Sequence, residues 1–153
     1  MATPIDPRPR STKKVDDVPV TLVETASLGA FEAAIHNSIS TAIDTETAYN
    51  PQAFVGPNAS PGALRVISAA TRSPDGLEQA WVLDVMNLDR LTIASILSGV
   101  RADAWNADFD SRVLDRDLFE PAIKGQSAVT SILWWDAQLA DALLHQGRTG
   151  FSF

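Results

Sequence analysis

Asp44-Thr45-Glu46 is the stretch of this chain whose residue types and spacing most directly suggest chemistry. Side chains alternate along a strand, so Asp44 and Glu46 share a face, about 6.8 Å apart along it. Ala42 lies on that same face, while Ile39, Thr41 and Ile43 point the other way. Two carboxylates so placed repel each other unless something cationic sits between them. Hard oxygen donors at that separation suit Mg²⁺ or Mn²⁺. A polar strand end explains the pair as well, because D-x-E arises often by chance in a chain of ordinary composition. A second segment adds context: Trp105-Asn106-Ala107-Asp108-Phe109-Asp110 follows one predicted strand and opens a predicted helix. Asp110 falls in the helix's first turn, where exposed N–H groups favour a carboxylate or a bound anion. Asp108 also reads as ordinary helix-start chemistry. Ligands in open α/β sheets bind beyond the carboxyl ends of the strands. If the two strands are neighbours, Asp110 therefore faces the Asp44/Glu46 pair.

The rest of the pattern supplies the elements that must position these acids. Residues 1–17 hold three prolines, no aromatic residue and mixed charge, and read as a flexible arm. Residues 18–23 form a short strand that Pro19 assigns to an edge. Residues 27–36 have helical spacing with Ser27 as N-cap. Residues 40–46 form the acid-bearing strand. A polar loop over 47–62 follows, long enough to be functional. Residues 63–84 read as a β-hairpin around the turn Ser73-Pro74-Asp75-Gly76. A helix over 88–97 ends at Gly99, and 101–105 form a strand. The helix over 108–118 turns Phe109, Val113, Leu114 and Leu118 inward. A last strand covers 131–135, and Asp136 caps a final helix with Leu139, Leu143 and Leu144 inward and Gly147 at its end. Strands first, then strands alternating with helices, predict an α/β fold: a mixed β-sheet flanked by helices.

Composition narrows the function classes. The 153 residues are 45% hydrophobic and 20% charged, as in an ordinary globular protein. Cysteine is absent, which excludes disulfides, Cys-ligated metals and a Cys nucleophile. The net charge of −7 argues against a broad basic nucleic-acid-binding face, but not against a nuclease whose acids collect cations. No apolar run is long enough for a membrane span, and the N-terminus lacks the apolar core of a secretory signal, so a cytoplasmic protein without membrane partners is expected. Trp81 and Phe109 read as core. Trp134 and Trp135 suit packing, with base stacking as the alternative. His36 reads as a surface helix residue. Arg65, Arg72 and Arg112 read as solvated charges, with phosphate contact as the alternative. Tyr49 and its loop are placed at the border of a single-strand channel.

Ile43-Asp44-Thr45-Glu46, a hairpin, Asn106-Ala107-x-Phe109-Asp110 with Val113-Leu114, and the stretch from Trp135 to Leu144 together resemble the DEDD superfamily of 3′–5′ exonucleases. The branch they are most similar to is the proofreading domain of family A DNA polymerases and ribonuclease D, whose motifs are D-x-E, H-N-A-x-F-D and D-T-x-L-A-x-x-L-L. The resemblance runs from about Thr21 to Gly147. It implies an RNase H-like fold and a hydrolase that trims single-stranded DNA or RNA from its 3′ end with two Mg²⁺ or Mn²⁺ ions. Asp44, Glu46 and Asp110 match three of the family's four metal-binding carboxylates, with Asp44 bridging the ions. Thr45, Thr47 and Asn106 are placed as nucleic-acid contacts. Trp105 stands where the family often has His. The fourth carboxylate's motif, Tyr-x-x-x-Asp or His-x-x-x-x-Asp, does not follow the 136–146 helix. The expectation is an exonuclease-like domain over 18–153 that is C-terminally incomplete, with a polymerase or second chain supplying the missing motif. The alternative is a catalytically silent module with a structural or nucleic-acid-binding role.

Overall fold

The computed structural model describes residues 18–48 and 62–144. The expected arm over 1–17, most of the 47–62 loop with Tyr49, and Gly147 lie outside the described residues. Six strands form one sheet in the order β1-β4-β3-β2-β5-β6. They are β1 (Val20–Val23), β2 (Ser40–Thr47), β3 (Leu64–Arg72), β4 (Glu78–Asp84), β5 (Arg101–Ala104) and β6 (Leu133–Asp136). The β3–β4 hairpin and its pairing with β2 are antiparallel. The pairs β1–β4, β2–β5 and β5–β6 are parallel, so the sheet is mixed as expected. Pro19 does precede an edge strand. At the hairpin turn Gly76 has φ +84°, a backbone conformation glycine adopts without steric cost.

The period-2 alternation of the strands sorts the sheet into two unlike faces. One face buries Thr41, Ile43, Ile67, Ala69, Trp81 and Leu83 in the hydrophobic core. Helices α1 (Leu28–Asn37), α2 (Arg90–Leu97) and α3 (Ala107–Leu114) contribute Phe31, Ile35, Ile93, Leu97 and Val113 to that core. The other face carries a register row across all six strands: Val20, Ala80, Ala70, Ala42, Asp103 and Trp135. Val20, Ala70, Ala42, Asp103 and Trp135 in that row are exposed. Among the described residues no helix is long and apolar enough to cross a membrane.

Four expectations are corrected. Ile39 precedes the strand and is exposed. Phe109 is 39% exposed rather than core, because α3 starts at Ala107 and turns its buried side through Asp110, Val113 and Leu114. The helix does not run uniformly to Leu118. It widens to π geometry over Asp115–Phe119, continues as α4 (Glu120–Ala122), and is followed by the short α5 (Ala128–Ser131). Pro121 follows the π segment and has no N–H to donate four residues back. The carbonyl of Asp117 instead accepts from Arg90 Nη1 at 3.1 Å. Finally, α6 (Ala137–Leu144) buries no described side chain, and Leu139, Leu143 and Leu144 are exposed rather than inward. Its apolar stripe is real, but helical spacing cannot reveal what a stripe faces.

Candidate active site

The acid-bearing strand β2 pairs with β3 along its length, but with β5 only at Ala42↔Asp103. Beyond that point the two parallel strands part. At the same end the β2–β3 register shifts between Glu46 and Thr47: Glu46 faces Val66 and Thr47 faces Leu64, leaving Arg65 as the bulged residue. Bulges bend a strand and re-aim its side chains. Asp44 and Glu46 are both exposed on the sheet's open face, and Thr45 between them is buried at 5% exposure. The expected common face for the two carboxylates is present.

The second segment enters the gap between the parting strands. β5 ends at Ala104, and Asn106 reverses the chain at φ +65°, the left-handed region that asparagine tolerates better than most residues. Asn106 is the N-cap position of α3, and its carbonyl accepts from Phe109 N at 3.0 Å. The N–H of Ala107 donates to Asp136 Oδ2 at 2.9 Å, while Asp136 Oδ1 accepts from Leu139 N at 3.0 Å. Asp136 thus caps α6 as expected and also ties down the start of α3. One turn later Asp110, at 2% exposure, reaches β2: its Oδ1 accepts from the Thr45 N–H at 2.9 Å and from Thr45 Oγ1 at 2.7 Å. Asp110 is therefore docked on the residue that separates Asp44 from Glu46.

The electrostatics of this junction are set mainly by burial. Burial pushes the Asp110 carboxyl up from its ordinary value and the charge on Asp44 adds to the rise, while the two Thr45 hydrogen bonds oppose it. All three acids offer hard oxygen donors of the kind divalent cations prefer. Among the described residues, however, no three His, Cys, Asp or Glu side chains stand close enough together to form a ready-made cation site. Asp110 is held, whereas Asp44 and Glu46 are exposed and have rotamer freedom. The donor set fits a divalent cation in kind, and holding one would require the two exposed side chains to turn toward Asp110.

The remaining candidates fall as follows. Thr45 has its hydroxyl turned inward onto Asp110. Thr47 is half-buried at the end of β2, and Asn106 and Trp105 are exposed beside the acids. Arg112 forms an i,i+4 ion pair with Asp108 at 2.9 Å, and Arg72 pairs with Glu78 at 2.6 Å. Arg65 and His36 are exposed. Trp81 is core, stacked at a tilt on Phe31. Trp134 packs half-buried with Nε1 donating to Ala128 O, while Trp135 is exposed. Sequence reading missed the positioning roles of Thr45 and Asp136. A threonine between two acids looks like any β-branched strand residue, and a helix cap shows no sign of its second partner.

No protein-family model matches the sequence, and no curated protein matches it. Solved structures do match in fold. Trypanosoma brucei RNase D in complex with RNA U12 superposes with a TM-score of 0.58 at 19% identity, over 78% of this chain and 38% of that one. The same enzyme with GMP gives 0.62 at 18% identity, over 81% and 35%. The Nibbler EXO domain of Aedes aegypti gives 0.60 at 17% identity, over 85% and 58%. The chain spans between about a third and three fifths of the length of these structures. The six-stranded sheet and its helices have the RNase H-like fold of RNase D and Nibbler exonuclease domains.

Proposed function

We propose that the chain is a metal-dependent 3′–5′ exonuclease module acting on single-stranded nucleic acid, with Asp44, Glu46 and Asp110 as its acids. The observation that carries this reading is the docking of Asp110 on Thr45, which brings the third acid from 65 residues away to the strand that bears the other two. The fold shared with RNase D and Nibbler domains supports it, and the neighbour crystallised with RNA favours an RNA strand over DNA. In this reading Asp110 is the fixed acid, and Asp44 and Glu46 turn toward it from the open face. Divalent cations, when bound, supply Lewis-acid stabilisation of the charge that develops on the phosphate. The chain's own residues orient the end of the strand: Trp105 offers an exposed ring on which a base can stack, and Asn106 offers an amide beside it.

The test is trimming of 5′-labelled single-stranded RNA and DNA oligonucleotides in Mn²⁺ or Mg²⁺. Stepwise shortening from the 3′ end is expected, and Asp44→Ala should reduce it to background while leaving the fold intact. A folded chain that shortens neither strand sinks the enzymatic reading. It would favour the silent module.

A further inference from the structure

We infer that Thr45 is a positioning residue: its hydroxyl and its backbone N–H clamp Asp110 Oδ1 and so fix the orientation of the carboxylate toward a ligand. The inference rests on the proposed site, and it takes Thr45 away from the set of nucleic-acid contacts. Backbone geometry creates the opening. Once β2 and β5 part beyond Ala42↔Asp103, the Thr45 N–H has lost its strand partner. A buried N–H needs an acceptor, and Asp110 Oδ1 supplies it at 2.9 Å. That single bond would let the carboxylate pivot about one oxygen. The second bond, from Thr45 Oγ1 at 2.7 Å, comes from another direction onto the same oxygen. Two donors from one residue fix both where the carboxylate sits and which way it faces, which is what precise ligation requires.

The side chain is buried, so the hydroxyl faces Asp110 rather than a bound strand. Core packing alone would be served equally by valine, which has the same shape without the hydroxyl. The clamp also ties the two acid-bearing segments together, because the residue that holds Asp110 is the one flanked by Asp44 and Glu46. Any shift of α3 relative to β2 therefore has to break both bonds to Thr45.

The experiment compares the full chain with Thr45→Val and Thr45→Ser. Mn²⁺ binding is read by electron paramagnetic resonance, and single-stranded RNA binding is read by anisotropy in EDTA. Thr45→Val should weaken Mn²⁺ binding by roughly 10- to 100-fold, and Thr45→Ser should restore it to within about threefold. RNA affinity in EDTA should stay unchanged in both. Three results would overturn the inference: Thr45→Val binding Mn²⁺ like the wild type, Thr45→Ser being as weak as Thr45→Val, or a loss confined to RNA binding. If the wild type takes up no Mn²⁺, the proposed activity falls, and the clamp is judged by hydrogen exchange instead. Asp110→Ala should then speed exchange of the Thr45 amide at least about tenfold relative to amides of α1. Equal exchange in the two proteins would refute the clamp.

Discussion

Asp110 is held by hydrogen bonds yet opposed by its surroundings, and the sign of that opposition can be measured. Its carboxyl is raised by burial and by the charge on Asp44. The folded state therefore keeps this proton to higher pH than the unfolded chain does. Linkage then makes the Asp110 contribution to stability fall as pH climbs from the unfolded carboxylate range, near 4, through the raised folded value, and level off above it. Asp110→Asn keeps an oxygen that accepts from Thr45 and removes the buried charge. The variant is expected to be at least as stable as the wild type at pH 7 in urea unfolding, with a flatter pH profile above about pH 4, and to lose Mn²⁺ binding. A less stable variant at pH 7 would show that the charge is relieved in the native protein. At this scale much was legible. Asp44 and Glu46 sharing a face follows from strand alternation alone. The proximity of Asp110 needed one further condition, that strands 40–46 and 101–105 be neighbours, and it is met at Ala42↔Asp103. Invisible in the sequence were the left-handed Asn106 and the second partner of Asp136, since both depend on where distant backbone lies.

Secondary structure was read well wherever pattern and burial agree, and poorly where an element's surroundings decide. The hairpin, the two central strands and α1 follow from alternation and spacing. Asp89 was overlooked as the N-cap of α2, although its carboxylate accepts from Thr92 N at 2.8 Å and Thr92 Oγ1 at 2.7 Å. The π-helical segment was not foreseen either, and it organises its own corner. Asp117, within it, accepts from Leu64 N at the start of β3 at 2.6 Å and pairs with Arg116 at 2.5 Å. Burial alone would raise the Asp117 carboxyl, but the Arg116 side chain, the Leu64 N–H and the charges of Arg116 and Arg90 hold it below its ordinary value. The depressed folded value means that this stabilisation is complete above the unfolded pKa and is lost as pH falls through the folded one. Asp117→Ala should cost about 1–3 kcal/mol at pH 7 by leaving the Leu64 N–H without its acceptor. The gap to the wild type should narrow as pH falls through the lowered folded value, as chemical denaturation at several pH values would show. A gap that does not narrow in acid would mean that the neutral acceptor and packing, not charge, set the cost.

For the molecule as a whole, the two faces of the sheet are unequal. Val20, Leu22, Leu133 and Trp135 project from the open face, and Leu139, Leu143 and Leu144 are exposed on α6. Exposed hydrocarbon binds apolar dyes without unfolding. Nile red, which is neutral and so indifferent to the net charge of −7, should brighten and shift to the blue with the native chain well below its thermal midpoint. Leu139→Gln with Leu143→Gln should weaken that signal and leave the midpoint unchanged, because both side chains are already exposed and glutamine is a good helix former. An unaltered signal would locate the dye elsewhere. The strand order has a kinetic consequence. Thr45 and Asp110 are 65 residues apart, and the whole β3–β4 hairpin, α2 and β5 are threaded between them. Closing so long a loop carries an entropy cost that only the completed sheet repays. The junction of the three acids therefore cannot preassemble in a nascent or half-built chain, and whatever chemistry it performs switches on only when β5 has docked against β2.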